Sequence, residues 1–294
     1  MAYAPARGEH CMIDIVPIPD PFKLPPAMNF GSVSGVAVNS KGNVFVLHRG
    51  ASPLIEFDAD GNFVRAWGDG LFERPHGLRI DAEDNIWTTD VAGHVVYKFD
   101  PAGRIQMVLG VRGRPGEWHD FGHLRLFNEP NDLGFAANGG VFVLQGHGKG
   151  PSQALKFDRD GSFIKAFGRQ RAAPGEFDLP HSVVIDPSGR LHIADRNNAR
   201  IQVFDPDGQF VRQSKHPGTP CGLCLGPDGL LYLAHGHTGL IKKLDLAGNL
   251  LGETGGQGKT PGRFGEAHYL AVGPRGEIYV ADTLNWRVQK YVRG

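Results

Sequence analysis

The chain has 294 residues, 40% of them hydrophobic, and its 31 Lys plus Arg balance 31 Asp plus Glu for a formal net charge of zero. That is enough apolar material for a packed core, and the lack of basic excess argues against general attraction to nucleic-acid phosphates, so no nucleic-acid partner is expected. No apolar run approaches a membrane span, the opening MAYAPARGEHCMIDIV is not a secretory signal, and three cysteines make no disulfide framework, so a cytoplasmic location away from membranes is expected.

The first predicted element is the β segment CMIDIVPIP. Six related copies follow: SGVAVNSKGNVFVLHR from Ser34, HGLRIDAEDNIWTTDV from His76, NDLGFAANGGVFVLQG from Asn131, HSVVIDPSGRLHIADR from His181, CGLCLGPDGLLYLAHG from Cys221 and HYLAVGPRGEIYVADT from His268. Each holds an apolar run, a Gly-bearing turn and a second apolar run, which is the signature of a hairpin. A third strand follows (LIEFD, VVYKFD, ALKFD, IQVFD, IKKLD, VQKYV), and a turn such as DADG or DPDG leads in several copies to a fourth (FVRAWG, IQMVLG, FIKAFG, FVRQSK). Four antiparallel strands repeated six times predict one all-β domain over residues 1–294, a six-bladed β-propeller. The last copy ends after its third strand, so CMIDIVPIP is expected to supply the fourth and close the ring.

Between the second and third copies lies the longer segment VRGRPGEWHDFGHLRLFNE, with Trp118, His119 and His123. It reads either as a loop over the channel mouth that touches substrate or as a solvated insertion. Cys221 and Cys224 form a CxxC without the second pair that a zinc ribbon needs, and read as two small residues of one strand.

In a propeller the first strand of each blade lines the central channel, so the blade-opening residues form a ring: Ser34, His76, Asn131, His181, Cys221, His268. A second ring follows fourteen residues later in every copy: His48, Asp90, Gln145, Asp195, His235, Asp282. Blades two, four and six carry His in the first ring, so His76, His181 and His268 approach the axis about 120° apart and are expected to hold one metal ion. Three protein ligands with an open position suit catalytic zinc, while imidazole also serves iron, copper or nickel. The aspartates of the second ring read either as ties between strands or as acceptors that orient the imidazoles.

ADRNNARIQVFD and ADTLNWRVQKY resemble the NHL class of propeller repeat. VSGVAVNSKGNVFVLHRG, PHGLRIDAEDNIWTTDVAGHVVYKFD, LPHSVVIDPSGRLHIADRNNARIQVF and AHYLAVGPRGEIYVAD together resemble the peptidyl-α-hydroxyglycine α-amidating lyases, which split a carbinolamide into an amide and glyoxylate. The resemblance implies zinc on His76, His181 and His268, and active-site arginines at Arg49 and Arg196. There are departures. His147 stands where the family has its catalytic tyrosine, Glu266 replaces a methionine, and Tyr269 replaces the acidic calcium ligand. The last change counts against calcium, although the carbonyls of Val36 and Leu78 remain.

The resemblance implies a metal-dependent lyase acting on a small hydroxylated amide that carries a carboxylate or amide. Arg49 and Arg196 would grip a carboxylate or polarised carbonyl. His147 would shuttle the proton because imidazole ordinarily titrates near neutrality, with Glu266 as a second candidate base and His48 and His235 as possible relays. A hydrolase or hydratase on the same histidines, with Glu266 as base, is the alternative reading; a non-enzymatic binding platform is the third.

Overall fold

Each repeat folds as its turns dictate. In DADG, the Asp58 carboxylate accepts the backbone N–H groups of Asp60 and Asn62. Gly61 takes a φ of +82°, a left-handed conformation that a Cβ resists. Strands on either side of such turns pair antiparallel. In blade two Pro75–Ile80, Ile86–Asp90, Val95–Phe99 and Ile105–Gly110 form one sheet. The computed structural model describes residues 12–118, 126–148 and 150–294 and contains six such four-stranded sheets, with the innermost strands of successive blades packed side by side around an axis. The protein is a six-bladed β-propeller.

The expected closure is present. Ile15–Ile18 pairs antiparallel with the last strand, Arg287–Arg293, matching Ile15 to Arg293 and Ile18 to Lys290. It completes blade six and covers what would be an open sheet edge. An apolar cluster fills the junction between each pair of neighbouring blades. Phe45 and Leu47 meet Ile86, Tyr97 and Phe99 between blades one and two, and Phe142 and Leu144 meet Phe177, Ile193 and Phe204 between blades three and four. This is face-to-face packing of twisted sheets, repeated around the ring.

Trp118 itself fits neither reading of the long segment, whose residues 119–125 lie outside the described ones. It is 7% exposed and packs on Phe127, Phe157 and Phe163 in the core between blades two and three, so it neither reaches the channel nor faces solvent. His119 and His123 lie outside the described residues. Cys221 is buried and Cys224 half-buried, and burial pushes both thiols up, Cys221 to about 12. They are packing residues.

Candidate metal centre

One backbone device builds the first ring. In all six blades the ladder between the first two strands slips at the same place: Val33 pairs with His48, Pro75 with Asp90, Pro130 with Gln145, Pro180 with Asp195, Pro220 with His235 and Ala267 with Asp282, each followed by a register shift. The ring residue is thus the extra residue of a β-bulge, which re-aims its side chain. The two rings predicted from spacing are both real and both buried, but they are not direct cross-strand partners.

The structure brings His76, His181 and His268 together around the axis with their rings edge-on to one another. All three ring-to-ring separations are 4.9 Å. His76 and His181 are fully buried and His268 is 4% exposed. Each imidazole donates from Nδ1 to a backbone carbonyl of the next blade: His76 to Asn131 at 2.8 Å, His181 to Cys221 at 3.1 Å and His268 to Ser34 at 2.8 Å. The blades without histidine therefore supply the acceptors, which the sequence pattern did not reveal. Asp90, Asp195 and Asp282 do not touch the imidazoles. Asp195 accepts from the N–H of Asp178, Asn198, Arg200 and Gln202, and Asp90 and Asp282 hold their own entry loops through Glu73 and Gly265. His48 binds the N–H of Gly31 through Nδ1, and His235 meets Thr238 Oγ1. His48 and the three aspartates thus tie strand to entry loop, whereas His235 binds just beyond its own strand; the second nitrogens of His48 and His235, Nε2 in each, are buried without a partner.

With Nδ1 committed as donor, the lone pair of each ring lies on Nε2. The Nε2 atoms of His76 and His181 are buried without a hydrogen-bond partner, a costly state unless something binds them. Burial, then the neighbouring imidazoles and arginines, holds all three rings well below the usual histidine range, in the neutral form that ligates metals. Three neutral imidazoles at these ring separations suit a divalent transition metal, although His268 is outside the group of ligand atoms within 4.8 Å that His76 and His181 form with His147. His147 joins them from the mouth side: its ring lies 4.5 Å from His76 and 5.7 Å from His181, and His76, His147 and His181 offer ligand atoms that all lie within 4.8 Å of one another.

Above the imidazoles the mouth is cationic. Arg49 donates from Nε to Pro75 O at 3.3 Å. Arg196 reaches Glu266 at 3.4 Å through Nη2, while its Nε is buried without a partner. Arg74, on the loop entering blade two, is a third guanidinium that sequence reasoning missed; its charge acts on both Arg49 and His147. Burial, then Arg74, Arg196 and Arg49, pushes His147 down to about 3. A shift in that direction counts against His147 as the proton shuttle, since it weakens the imidazole as a base near neutrality.

Below the triad the axis is filled. Tyr269 is fully buried, its ring 5.0–5.7 Å from the three imidazoles, and its hydroxyl donates to His181 O at 2.7 Å. Behind it the Arg79 guanidinium lies 5.4 Å from the Tyr269 ring, paired with Asp132 through two contacts of 2.9 and 2.6 Å and bonded to Ser182 Oγ and Leu223 O. Gly222 is required here, since a Cβ would lie 2.7 Å from Tyr269 Cα. Tyr269 offers no carboxylate and Arg79 is a fixed cation, so the residues present do not fit a calcium ion at this level. Val36 and Leu78 sit in ladders with Val46 and Thr88.

Residues 177–204 match the family model of the NHL repeat. Human NHL repeat-containing protein 3 is 32% identical over 89% of this chain and 80% of its own length. Peptidyl-glycine alpha-amidating monooxygenase B of Xenopus laevis is 32% identical over 90% of this chain, which spans about a third (34%) of that relative. A probable peptidyl-alpha-hydroxyglycine alpha-amidating lyase of Caenorhabditis elegans is 34% identical over 61% of this chain and 57% of its own length. Among solved structures, virginiamycin B lyase from Staphylococcus aureus shares the fold with a TM-score of 0.60 at 17% identity, covering 90% of this chain and 86% of its own. The chain therefore belongs to the NHL-repeat family of β-propellers, and among its relatives are proteins named as peptidyl-α-hydroxyglycine α-amidating lyases.

Proposed function

We propose that the protein is a metal-dependent carbon–nitrogen lyase acting on a small carbinolamide that bears a carboxylate. The observation that carries this reading is the set of three imidazoles, each fixed by a backbone carbonyl, lying beneath a mouth lined with guanidiniums. His76, His181 and His268 would hold the ion. When bound, a divalent transition metal supplies a Lewis acid that makes a nearby hydroxyl more acidic. Arg49 and Arg196 bind the substrate carboxylate and turn the hydroxyl toward the imidazoles. Glu266, 9% exposed and beside Arg196, takes the hydroxyl proton. The oxygen electron pair becomes the carbonyl bond, the carbon–nitrogen bond breaks, and the nitrogen leaves as an amide carrying the proton back. His147 contributes no proton in this scheme.

The test is incubation of the metal-loaded protein with an N-acyl-α-hydroxyglycine, following release of amide and glyoxylate above the spontaneous rate. Fully loaded protein that releases neither refutes the lyase. Glu266 is equally placed to activate water, which supports a hydrolase as second reading. Isotopically labelled water separates the two, because water oxygen enters the product of a hydrolase and not the amide or fresh carbonyl of a lyase. Failure to take up any divalent transition metal would leave only the binding-platform reading.

A further inference from the structure

We propose that His147 is a displaceable fourth ligand that closes the metal site at rest. This rests on the metal centre proposed above. The triad has two faces along the axis, and only one is open to a further ligand. On the inner face Tyr269 lies within 5.0–5.7 Å of all three rings and spends its hydroxyl on the carbonyl of His181. On the outer face stands His147. Its ring is nearer to His76, at 4.5 Å, than either triad partner is at 4.9 Å. Its ligand atom falls in one cluster of 4.8 Å with those of His76 and His181. Four neutral imidazoles saturate a tetrahedral ion, whereas three leave a place for substrate or water.

The backbone around His147 is suited to exchange. Gly146 has a φ of +103° and is anchored by its N–H to Asn128 O and Glu129 O at 3.1 and 3.2 Å. Gly148 lies so close to Glu129 that a Cβ would meet its carboxylate oxygens at 2.5 and 2.7 Å. His147 is thus carried between two glycines, beyond the last ladder residue Gln145, while His76, His181 and His268 sit in strands. Three ligands are fixed in sheets and one is on a tether. A substrate drawn in by Arg49, Arg74 and Arg196 exchanges with the tethered one and leaves the other three in place.

The experiment uses zinc- and cobalt(II)-loaded full-length protein, as parent, His147→Ala and His147→Gln. X-ray absorption at the zinc edge should count four imidazoles in the parent and three in both variants. Zinc affinity, measured by chelator competition, should fall by at least the roughly ten- to hundredfold that loss of an orienting partner costs a metal site. Azide should perturb the cobalt spectrum of either variant at lower concentration than that of the parent, since the exchangeable position is already open. Three imidazoles in the parent with equal azide sensitivity would overturn the fourth ligand and leave the three-histidine centre intact. A parent that binds no metal would overturn both.

Discussion

The ion pair on the axis offers the sharpest test of how the ring is held together. Asp132 is fully buried and accepts from Arg79 Nε at 2.9 Å, from Arg79 Nη2 at 2.6 Å and from Val183 N at 2.9 Å. Burial alone would depress the Arg79 guanidinium, but the Asp132 carboxylate more than offsets it and raises it further. Asp132→Ala strands that cation beside Tyr269, with only Ser182 Oγ and Leu223 O left to it. Removing one member of such a pair costs about 3–5 kcal/mol. At about 2.1 cal/mol/K of unfolding entropy per residue, 294 residues carry roughly 0.6 kcal/mol/K, so Tm should fall by about 5–8 °C. Thermal unfolding of metal-free protein followed by circular dichroism isolates this effect from ligation. The double variant Arg79→Met with Asp132→Leu should recover most of the loss, because an apolar pair leaves no stranded charge. A single variant costing no more than the roughly 0.5 kcal/mol of a surface change, or a double variant as unstable as the single, refutes the reasoning.

His76→Ala and His181→Ala should each abolish near-stoichiometric metal content in elemental analysis while leaving the propeller folded. Arg49→Ala should lower kcat by about a hundredfold or more, as loss of a donor to developing charge does, and keep its metal; an equal fall in metal would make Arg49 structural. Asp195→Ala should destabilise blade four, where four donors lose their acceptor, without changing zinc affinity per folded molecule. A ten- to hundredfold weaker affinity would instead reveal a role in orienting the ligands. Burial, then Lys242, pushes His216 down to about 4. Between that value and the ordinary 6.5 the unfolded chain binds more protons than the folded one, so the stability His216 confers is complete above pH 6.5 and lost as pH falls toward 4. Denaturation midpoints at pH 7 and pH 5 should show a smaller drop for His216→Gln than for the parent.

The fold could be read from the chain because a propeller repeats its evidence six times. The constant spacing from Ser34 to His48 and from His268 to Asp282 aligned the blades even where intervening loops differ. The alternation of His76, His181 and His268 with Ser34, Asn131 and Cys221 located the axial cluster. What escaped was everything that depends on a carbonyl or on a side chain arriving from another blade. Nothing in the sequence says that Asn131 O receives His76, or that Arg79 crosses the axis to Asp132 and Leu223. Trp118 was misread for a related reason: an aromatic in a Gly-bearing insertion looks exposed until Phe127 of the same segment and Phe157 and Phe163 of blade three close around it. The protonation of His147 was misjudged because Arg74 lies seventy-three positions away in sequence and its charge acts only through the fold.

The alternation also has a physical logic of its own. An imidazole at the axis must give its Nδ1 proton to something, and in this ring that something is the main chain of the next blade, held in place by its own ladder. Histidines on every second blade can all be satisfied in the same sense around the ring, and all present the same tautomer inward. Carboxylates would orient the rings too, but they would bring negative charge into the axis and titrate with the medium; carbonyls do neither. The centre thereby keeps a neutral ligand set under a positive mouth. A chain with no net charge has gathered Arg49, Arg74 and Arg196 at one end of its channel against Glu266, and that local excess is what an anionic substrate would meet. On the proposed reading, specificity belongs to the mouth and ligation to the bulges, so substitutions at the arginines should alter which substrate enters while leaving the geometry of the three strand-borne imidazoles unchanged.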